Sequence, residues 1–207
     1  LDLPLFDGRI ALEAFGVPFE VFEMDTTTRD ERAVRDRDAQ GTTVGDLYIG
    51  TKIQLLRDHS KWPDLLLGIT LRTPSGRGLA NARYTDAPGF YFDLSAGKSF
   101  KLGSSHIIRP FFMMGFFVWQ TNDEQHRQND AFLYGLGLSF YNTKYEFNAK
   151  YGGYKGYIGN GDAPAVFRAN TIFKRSKKHY KLSFQQGLND FEYSSVSLAV
   201  ILYFGSN

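Results

Sequence analysis

Residues 46–55 read Asp46-Leu-Tyr-Ile-Gly-Thr-Lys-Ile-Gln-Leu55 and alternate between two kinds of side chain. Leu or Ile stands at 47, 49, 53 and 55, with Thr51 between them. The interleaved positions are Asp46, Tyr48, Gly50, Lys52 and Gln54. Because residues two apart lie on the same side of a β-strand, this stretch predicts a strand with one apolar and one polar face.

The same alternation recurs along the chain. It is found in residues 65–72, 90–97, 132–140, 145–152, 167–174, 180–185 and 196–204. Residues 109–119 are apolar on both faces. In residues 9–24 the alternation shifts by one residue near Gly16 and Pro18, where we expect a bulge or bend. The sequence therefore predicts about ten strands, with twelve in a longer precursor as the second choice.

The predicted connections alternate between long and short. The long ones are 25–43, 73–89, 121–130, 152–165 and 188–195, and the short ones are 57–63, 101–105, 142–144 and 175–179. Outer-membrane barrels have long external loops and short periplasmic turns. A soluble lipocalin-like barrel or a β-sandwich is the alternative. Nothing in a soluble β-meander requires long and short connections to alternate, so the pattern favours a membrane barrel.

Composition agrees with such a barrel. Aromatic residues make up 16% of the chain and charged residues 22%, the mean hydropathy is −0.31, and no apolar run approaches the roughly 18 residues of a spanning helix. We expect a closed antiparallel up-and-down transmembrane β-barrel of the all-β class. It would form one domain over residues 1–204, surrounded by lipid in the outer membrane of a Gram-negative bacterium.

The last predicted strand, Ser197-Leu-Ala-Val-Ile-Leu-Tyr-Phe204, resembles the C-terminal strand of outer-membrane proteins. That resemblance implies recognition by the barrel assembly machinery. Residues 205–207 depart from the pattern, and we interpret them as residues added for recombinant expression. The alternative is an ordinary edge strand with a polar tail.

Two further segments carry a family resemblance. Val44-Gly-Asp-Leu-Tyr-Ile-Gly-Thr-Lys52 and Leu71-Arg-Thr-Pro-Ser-Gly76 resemble segments of the outer-membrane transport proteins linked to the meta-pathway of phenol degradation. The resemblance implies transport. The chain lacks additional N-terminal strands expected of that family, which is why twelve strands is the second choice.

The sequence offers little support for catalysis. His126 lies near Asp123 and Glu124 in an external loop, which could indicate an omptin-like protease or a metal site, but a solvated loop tip is favoured. His179 and Ser183 are four residues apart, about 13 Å along a strand, whereas a nucleophile and its base lie about 3 Å apart. The absence of cysteine excludes disulfides, thiol catalysis and cysteine-ligated zinc. We expect no enzyme activity, cofactor or metal.

The first long loop, residues 25–38, mixes acidic and basic residues almost evenly. It could be a mobile flap, a short helix, or a binding surface for a saccharide or protein partner, and a solvated loop is favoured. Its near-zero net charge and the overall charge of +2 argue against nucleic acid.

Charged residues on the polar face are predicted to line the lumen. They are Asp46, Lys52, Arg72, Asp93, Arg109, Glu146, Lys150, Arg168 and Lys181. Two functions follow: a narrow, mildly anion-favouring path for small solutes, or a plugged barrel acting through its external loops in adhesion or in an envelope complex. Bulky Phe111, Met113, Phe117 and Trp119 favour occlusion or a hydrophobic groove, and the family resemblance favours transport.

Overall fold

The computed structural model describes residues 1–31, 34–36, 40–84, 87–121, 124–125, 127–157, 163–176, 178–190 and 194–204. Strands dominate these ranges. They are β1 (Asp2–Leu5), β2 (Ile10–Phe15), β3 (Glu20–Glu23), β4 (Gln40–Thr43), β5 (Tyr48–Leu56), β6 (Asp64–Arg72), β7 (Gly89–Gly97), β8 (Phe100–Leu102), β9 (His106–Gln120), β10 (Gln128–Tyr141), β11 (Tyr145–Gly156), β12 (Ala165–Arg175), β13 (Lys178–Asn189) and β14 (Ser194–Leu202). One short helix, α1 (Thr26–Glu31), and one 3-10 turn (Leu79–Asn81) accompany them.

The predicted all-β architecture is confirmed. Twelve strands form the main sheet in the order β1-β2-β5-β6-β7-β9-β10-β11-β12-β13-β14, with β8 paired to β9, and β3 and β4 form a separate hairpin. Strands with a described register pair antiparallel. In the described residues no pairing joins the terminal strands β1 and β14, so closure of the sheet stays a prediction.

The expected number of strands, about ten, was too low. All ten predicted segments contain a strand, but β1 and β8 are too short, at four and three residues, to show alternation. The segment 9–24 is divided between β2 and β3, which belong to different sheets. The chain leaves the main sheet after Phe15, beside Gly16, where a β-carbon would lie 2.9 Å from the Asp46 backbone oxygen.

The lengths of the connections follow the predicted alternation only in part, because residues 57–63, predicted to be short, are as many as residues 121–127 and more than residues 190–193, which lie in predicted long connections. Strands β5 and β6 are joined by residues 57–63, and β10 and β11 by residues 142–144. The connection from β2 to β5 is far longer and contains β3, α1 and β4. The short-helix interpretation of this loop is therefore confirmed for residues 26–31, while parts of the loop lie outside the described residues.

Two compact units can be distinguished. The first unit comprises residues 1–54, 68–92 and 117–129, and the second comprises residues 55–67, 93–116 and 130–207. The prediction of a single domain over residues 1–204 stays a prediction, and residues 205–207 lie outside the described part of the chain.

Register in the second unit separates the two faces of the sheet. Leu136 lies opposite Tyr151, which lies opposite Phe167, whereas Lys150 lies opposite Arg168. The same separation continues through β13 and β14, where Leu182 pairs with Leu198 and Ser183 with Ser197. We call these the apolar face and the polar face of β10–β14, and the predicted alternation in these strands is confirmed.

Glycine on the polar face makes room for large side chains. A β-carbon at Gly137 would collide with the ring of Phe111, and one at Gly97 would lie 3.0 Å from the Phe111 β-carbon. The glycines of β7 and β10 thus leave room for the Phe111 side chain of β9.

Among the described residues, no helix is both long enough and apolar enough to cross a membrane.

Candidate functional site: the polar face of β11–β14

Three parallel rows of side chains cross the polar face of the second unit. The first runs Lys150, Arg168, Gln185 and Ser195 from β11 to β14, and the second runs Asn148, Asn170, Ser183 and Ser197. The third row contains Glu146, Ile172, Lys181 and Ala199. Two residues along a strand span about 6.6 Å, so long side chains in the outer rows can reach the middle one.

Two cations face each other in the first row. Lys150 and Arg168 are directly opposed on neighbouring strands, and Arg168 Nε donates a hydrogen bond to Gln185 Oε1 at 2.6 Å. Like charges placed opposite each other destabilise a sheet. Other groups around the pair must therefore offset this repulsion.

A cavity of about 140 Å³ lies between the first row and the third. A single water needs only roughly 10–15 Å³ of such space. Three predicted lumen-lining residues, Lys150, Arg168 and Lys181, are brought together in its wall. The remaining lining comes from Ala169, Asn170, Ser183, Phe184, Gln185, Ser195 and Ser197.

Glu146, the predicted acidic residue of this face, is engaged elsewhere. Its carboxylate accepts from Asn148 Nδ2 at 3.0 Å and lies 3.5 Å from Lys174 Nζ. Asn148 Nδ2 also lies 3.1 Å from Asn170 Oδ1, and Ser139 Oγ donates to Asn148 Oδ1 at 2.5 Å. A ladder of polar contacts thus crosses β10, β11 and β12.

Arg109 and Asp93 lie elsewhere in the second unit. Arg109 Nη1 forms an ion pair with Asp64 Oδ2 at 2.7 Å and donates to Ser99 Oγ at 3.0 Å. Asp93 Oδ1 accepts from Ser95 Oγ at 3.2 Å. Neither residue lines the cavity of β11–β14.

In the first unit, Lys52 and Arg72 have separate partners. Lys52 Nζ lies 2.5 Å from Glu13 Oε1 across the β2–β5 pair. Arg72 Nη2 donates to the Ala87 carbonyl at 3.1 Å, and its guanidinium lies 5.3 Å from the centre of the Phe117 ring. Such a position gives an attractive cation–π contact.

An aromatic stack continues from this cation. Phe117 is only 5% exposed and lies between Tyr91, at 4.3 Å between ring centres, and Trp119, at 4.5 Å. Tyr48 lies 6.4 Å from Tyr91 and 4.8 Å from the stacked ring of Phe15. We call these five rings the aromatic stack of the first unit.

Asp46 has a different setting from the one its alternation indicates. It precedes β5, is 3% exposed, and its Oδ1 accepts from the Gly76 backbone N–H at 2.8 Å. Ser75 Oγ accepts from the Leu47 N–H at 2.8 Å, and Thr73 Oγ1 donates to the Leu47 carbonyl at 2.8 Å. The two segments that carry the family resemblance therefore interlock, and Asp46 holds them together.

Glu20 of β3 joins the connection between β2 and β5 to the connection between β6 and β7. Its carboxylate forms an ion pair with Arg83 and accepts a hydrogen bond from Tyr84 Oη at 2.6 Å. Burial, together with the hydrogen bond to this carboxylate, raises the pKa of Tyr84 to about 12. The Tyr84 side chain also lies against the glycines of both motif segments, since a β-carbon at Gly45 would lie 2.9 Å from its ring and one at Gly76 would lie 2.8 Å from its Cβ.

Sequence reasoning missed several partners that the alternation itself could have indicated. Glu13 in β2 and Asp64 in β6 stand at positions of the polar face. Only their cationic partners, Lys52 and Arg109, were predicted to line the lumen. Gln185 and Ser195 were not singled out because their place beside Arg168 depends on register between strands.

Of the catalytic candidates, Asp123 and His126 lie outside the described residues. His179 and Ser183 are four residues apart along β13 and are not brought together. Among the described residues, no group of three or more histidines and carboxylates is placed to hold a metal ion.

The sequence matches no protein-family model. A search of curated proteins gave no match either.

Proposed function

We propose that this chain is an outer-membrane β-barrel that provides a narrow transport path for small solutes and has no enzymatic activity. The observation that carries the proposal is the exposure of the apolar face of β10–β14. Leu198 is 82% exposed, Val196 70% and Leu136 60%, and large apolar residues on all five strands share this exposure.

Lipid is the occupant that this face fits. Soluble proteins rarely expose contiguous apolar patches beyond a few hundred Å². Here the exposed residues alternate with positions that are mostly polar, apart from residues such as Ile172 and Ala199, and the opposite face holds the charged side chains and the polar ladder. An outward apolar band and a polar interior are what a membrane barrel requires.

Closure of the sheet is part of the same proposal. A sheet edge in hydrocarbon leaves backbone donors and acceptors unpaired, each at a cost of several kcal/mol. The terminal strands β1 and β14 each have one neighbour in the sheet order. We propose that they pair in the membrane, after the assembly machinery has recognised the C-terminal strand.

Transport is supported by the charges of the polar face. Lys150, Arg168 and Lys181 surround one cavity, while the neighbouring Glu146 is paired with Lys174. Such a surface favours small anions over cations. The resemblance of the two interlocked motif segments to transport proteins points the same way.

The alternative is a plugged, non-conducting barrel that acts through its external loops. The aromatic stack of the first unit favours it, since Phe117 is buried on the face that carries Arg72. The interlocked loops around Glu20 would then be a binding surface for a protein partner.

Single-channel conductance in a planar bilayer separates the two functions. The protein is refolded in detergent, inserted, and its insertion verified by protection of the membrane-embedded part from protease. Discrete steps with a preference for anions are expected for the transport path. A silent bilayer with verified insertion would contradict transport and favour the plugged barrel, and failure to insert into lipid would contradict both.

A further inference from the structure

The cavity on the polar face of β11–β14 has the composition of an anion site. We propose that it binds a small soluble anion through a carboxylate or phosphate group. This inference deepens the proposed function, on which it rests, by naming the class of solute that the path would take.

The first argument is the arrangement of charge. Lys150 and Arg168 are opposed on neighbouring strands, and Lys181 approaches the same cavity from the third row. An anion between the rows would be attracted by all three cations at once. Glu146 does not supply that charge, because its carboxylate is engaged by Lys174 and Asn148.

The second argument is the set of neutral groups around the cations. Arg168 is oriented by Gln185, whose side-chain oxygen accepts from Nε at 2.6 Å and leaves the Nη edge of the guanidinium for another acceptor. Hydroxyls of Ser183, Ser195 and Ser197 complete the wall. Guanidinium and hydroxyl groups are the donors that carboxylates and phosphates prefer.

The third argument is position. The lining side chains Lys150, Arg168 and Lys181 belong to the polar face, whereas the exposed leucines and valines of these strands lie on the other one. Ala169 and Phe184 are the apolar residues of the cavity lining and the other eight residues are charged or polar, so an acyl chain attached to a phosphate would find little apolar surface there. A soluble anion therefore fits better than a lipid headgroup.

Direct binding tests the site without requiring conduction. Titration calorimetry of the detergent-refolded protein would use inorganic phosphate and succinate as probes. We expect saturable binding below about 10 mM that weakens with added salt but persists at physiological ionic strength. Arg168→Gln and Lys181→Gln should each weaken binding by roughly tenfold or more, as expected for losing one charge-assisted contact.

Lys178→Gln is the matched control. It removes the same charge from an exposed position at the start of β13, outside the cavity, and should leave binding unchanged. Loss of binding through misfolding is recognised by thermal unfolding. Melting temperatures of Arg168→Gln and Lys181→Gln close to that of the unmodified protein would show that the weaker binding does not come from unfolding.

Several outcomes would overturn the site. They are the absence of saturation by either probe, an equal loss in the Lys178→Gln control, and displacement of phosphate by a short-chain phosphatidylglycerol, which would assign the site to a lipid headgroup. Saturable binding without channel conductance would support the anion site and contradict transport. Conduction with no saturable binding, and with anion preference unchanged by Arg168→Gln, would reject the site and keep transport.

Discussion

The polar faces of the two units are filled in different ways. In the first unit, aromatic rings stack from Phe15 to Trp119, and Arg72 lies against one of them. In the second unit, the strands β11–β14 carry short polar side chains and a cationic cavity. In both units the parity of a residue along its strand decides which face it takes. Parity does not decide whether that face is occluded or accessible, since Phe117 and Trp119 come from residues 109–119, which are apolar on both faces.

The largest expected effect concerns the aromatic stack. Phe117→Ala should lower the free energy of unfolding by about 3–5 kcal/mol, because it leaves a cavity between Tyr91 and Trp119. The matched control is Phe112→Ala on the same strand, where the ring is 51% exposed and its loss should cost much less in detergent. Equal losses in urea unfolding would show that the stack adds no packing energy.

The next effect tests the assignment of faces. Leu182→Arg places a charge on the apolar face of β13 and should destabilise the lipid-inserted protein by about 2–4 kcal/mol if that position lies near the midplane. Ser139→Arg places the same side chain on the polar face near Glu146 and should cost less. Similar costs for both variants in vesicles would contradict the lipid-facing assignment. For the same reason we expect Leu67→Arg to cost more than Thr70→Arg.

A smaller effect should appear as a dependence on pH in the first unit. The folded pKa of Tyr84, about 12, lies above the ordinary value of 10, so the folded state holds this proton more tightly than the unfolded state. The resulting stability is fully present below pH 10 and is lost as the pH rises towards 12. In the Tyr84→Phe protein, the thermal unfolding midpoint should fall less between pH 10 and pH 12 than in the unmodified protein. An equally steep fall in both proteins would show that Tyr84 does not cause this pH dependence.

The smallest effect concerns the cationic row of the second unit. Lys150→Gln should raise the free energy of unfolding by about 0.2–1 kcal/mol in the absence of anions, because it removes a like charge opposite Arg168. The exposed Lys178→Gln serves again as the control. A destabilised Lys150→Gln protein would mean that Lys150 contributes more through its other contacts than it costs through repulsion.

Strands β10 to β13 could be predicted well because apolar and polar residues alternate along most of their length, as around Leu182. Strand β8 of the same unit was missed because it has only three residues. The hairpin of β3 and β4 could not, because the frame change near Gly16 was compatible with a bulge in one strand as well as with two strands. The setting of Asp46 was also missed. A carboxylate that caps a loop has the same sequence pattern as one on a polar face, and only the contact with Gly76 distinguishes them.

The candidate site was predicted in part. Lys150, Arg168 and Lys181 were among the expected lumen-lining residues, and they share one cavity. Their grouping depends on which residue of β12 lies opposite which residue of β13. A shift of register by two residues would keep every side chain on its face and yet move Gln185 away from Arg168. Sequence periodicity carries no information on that choice.

The interlocked loops of the first unit have a consequence for how this part of the chain opens. Segments 44–47 and 73–77 hold each other through backbone and side-chain hydrogen bonds, including one from Arg77 N–H to the Val44 carbonyl at 2.9 Å. Neither segment can fluctuate away without releasing the other, so they should exchange their amide hydrogens as one cooperative unit. An epitope tag inserted at Ser75 would therefore disturb both segments, and surface display would need a different insertion point.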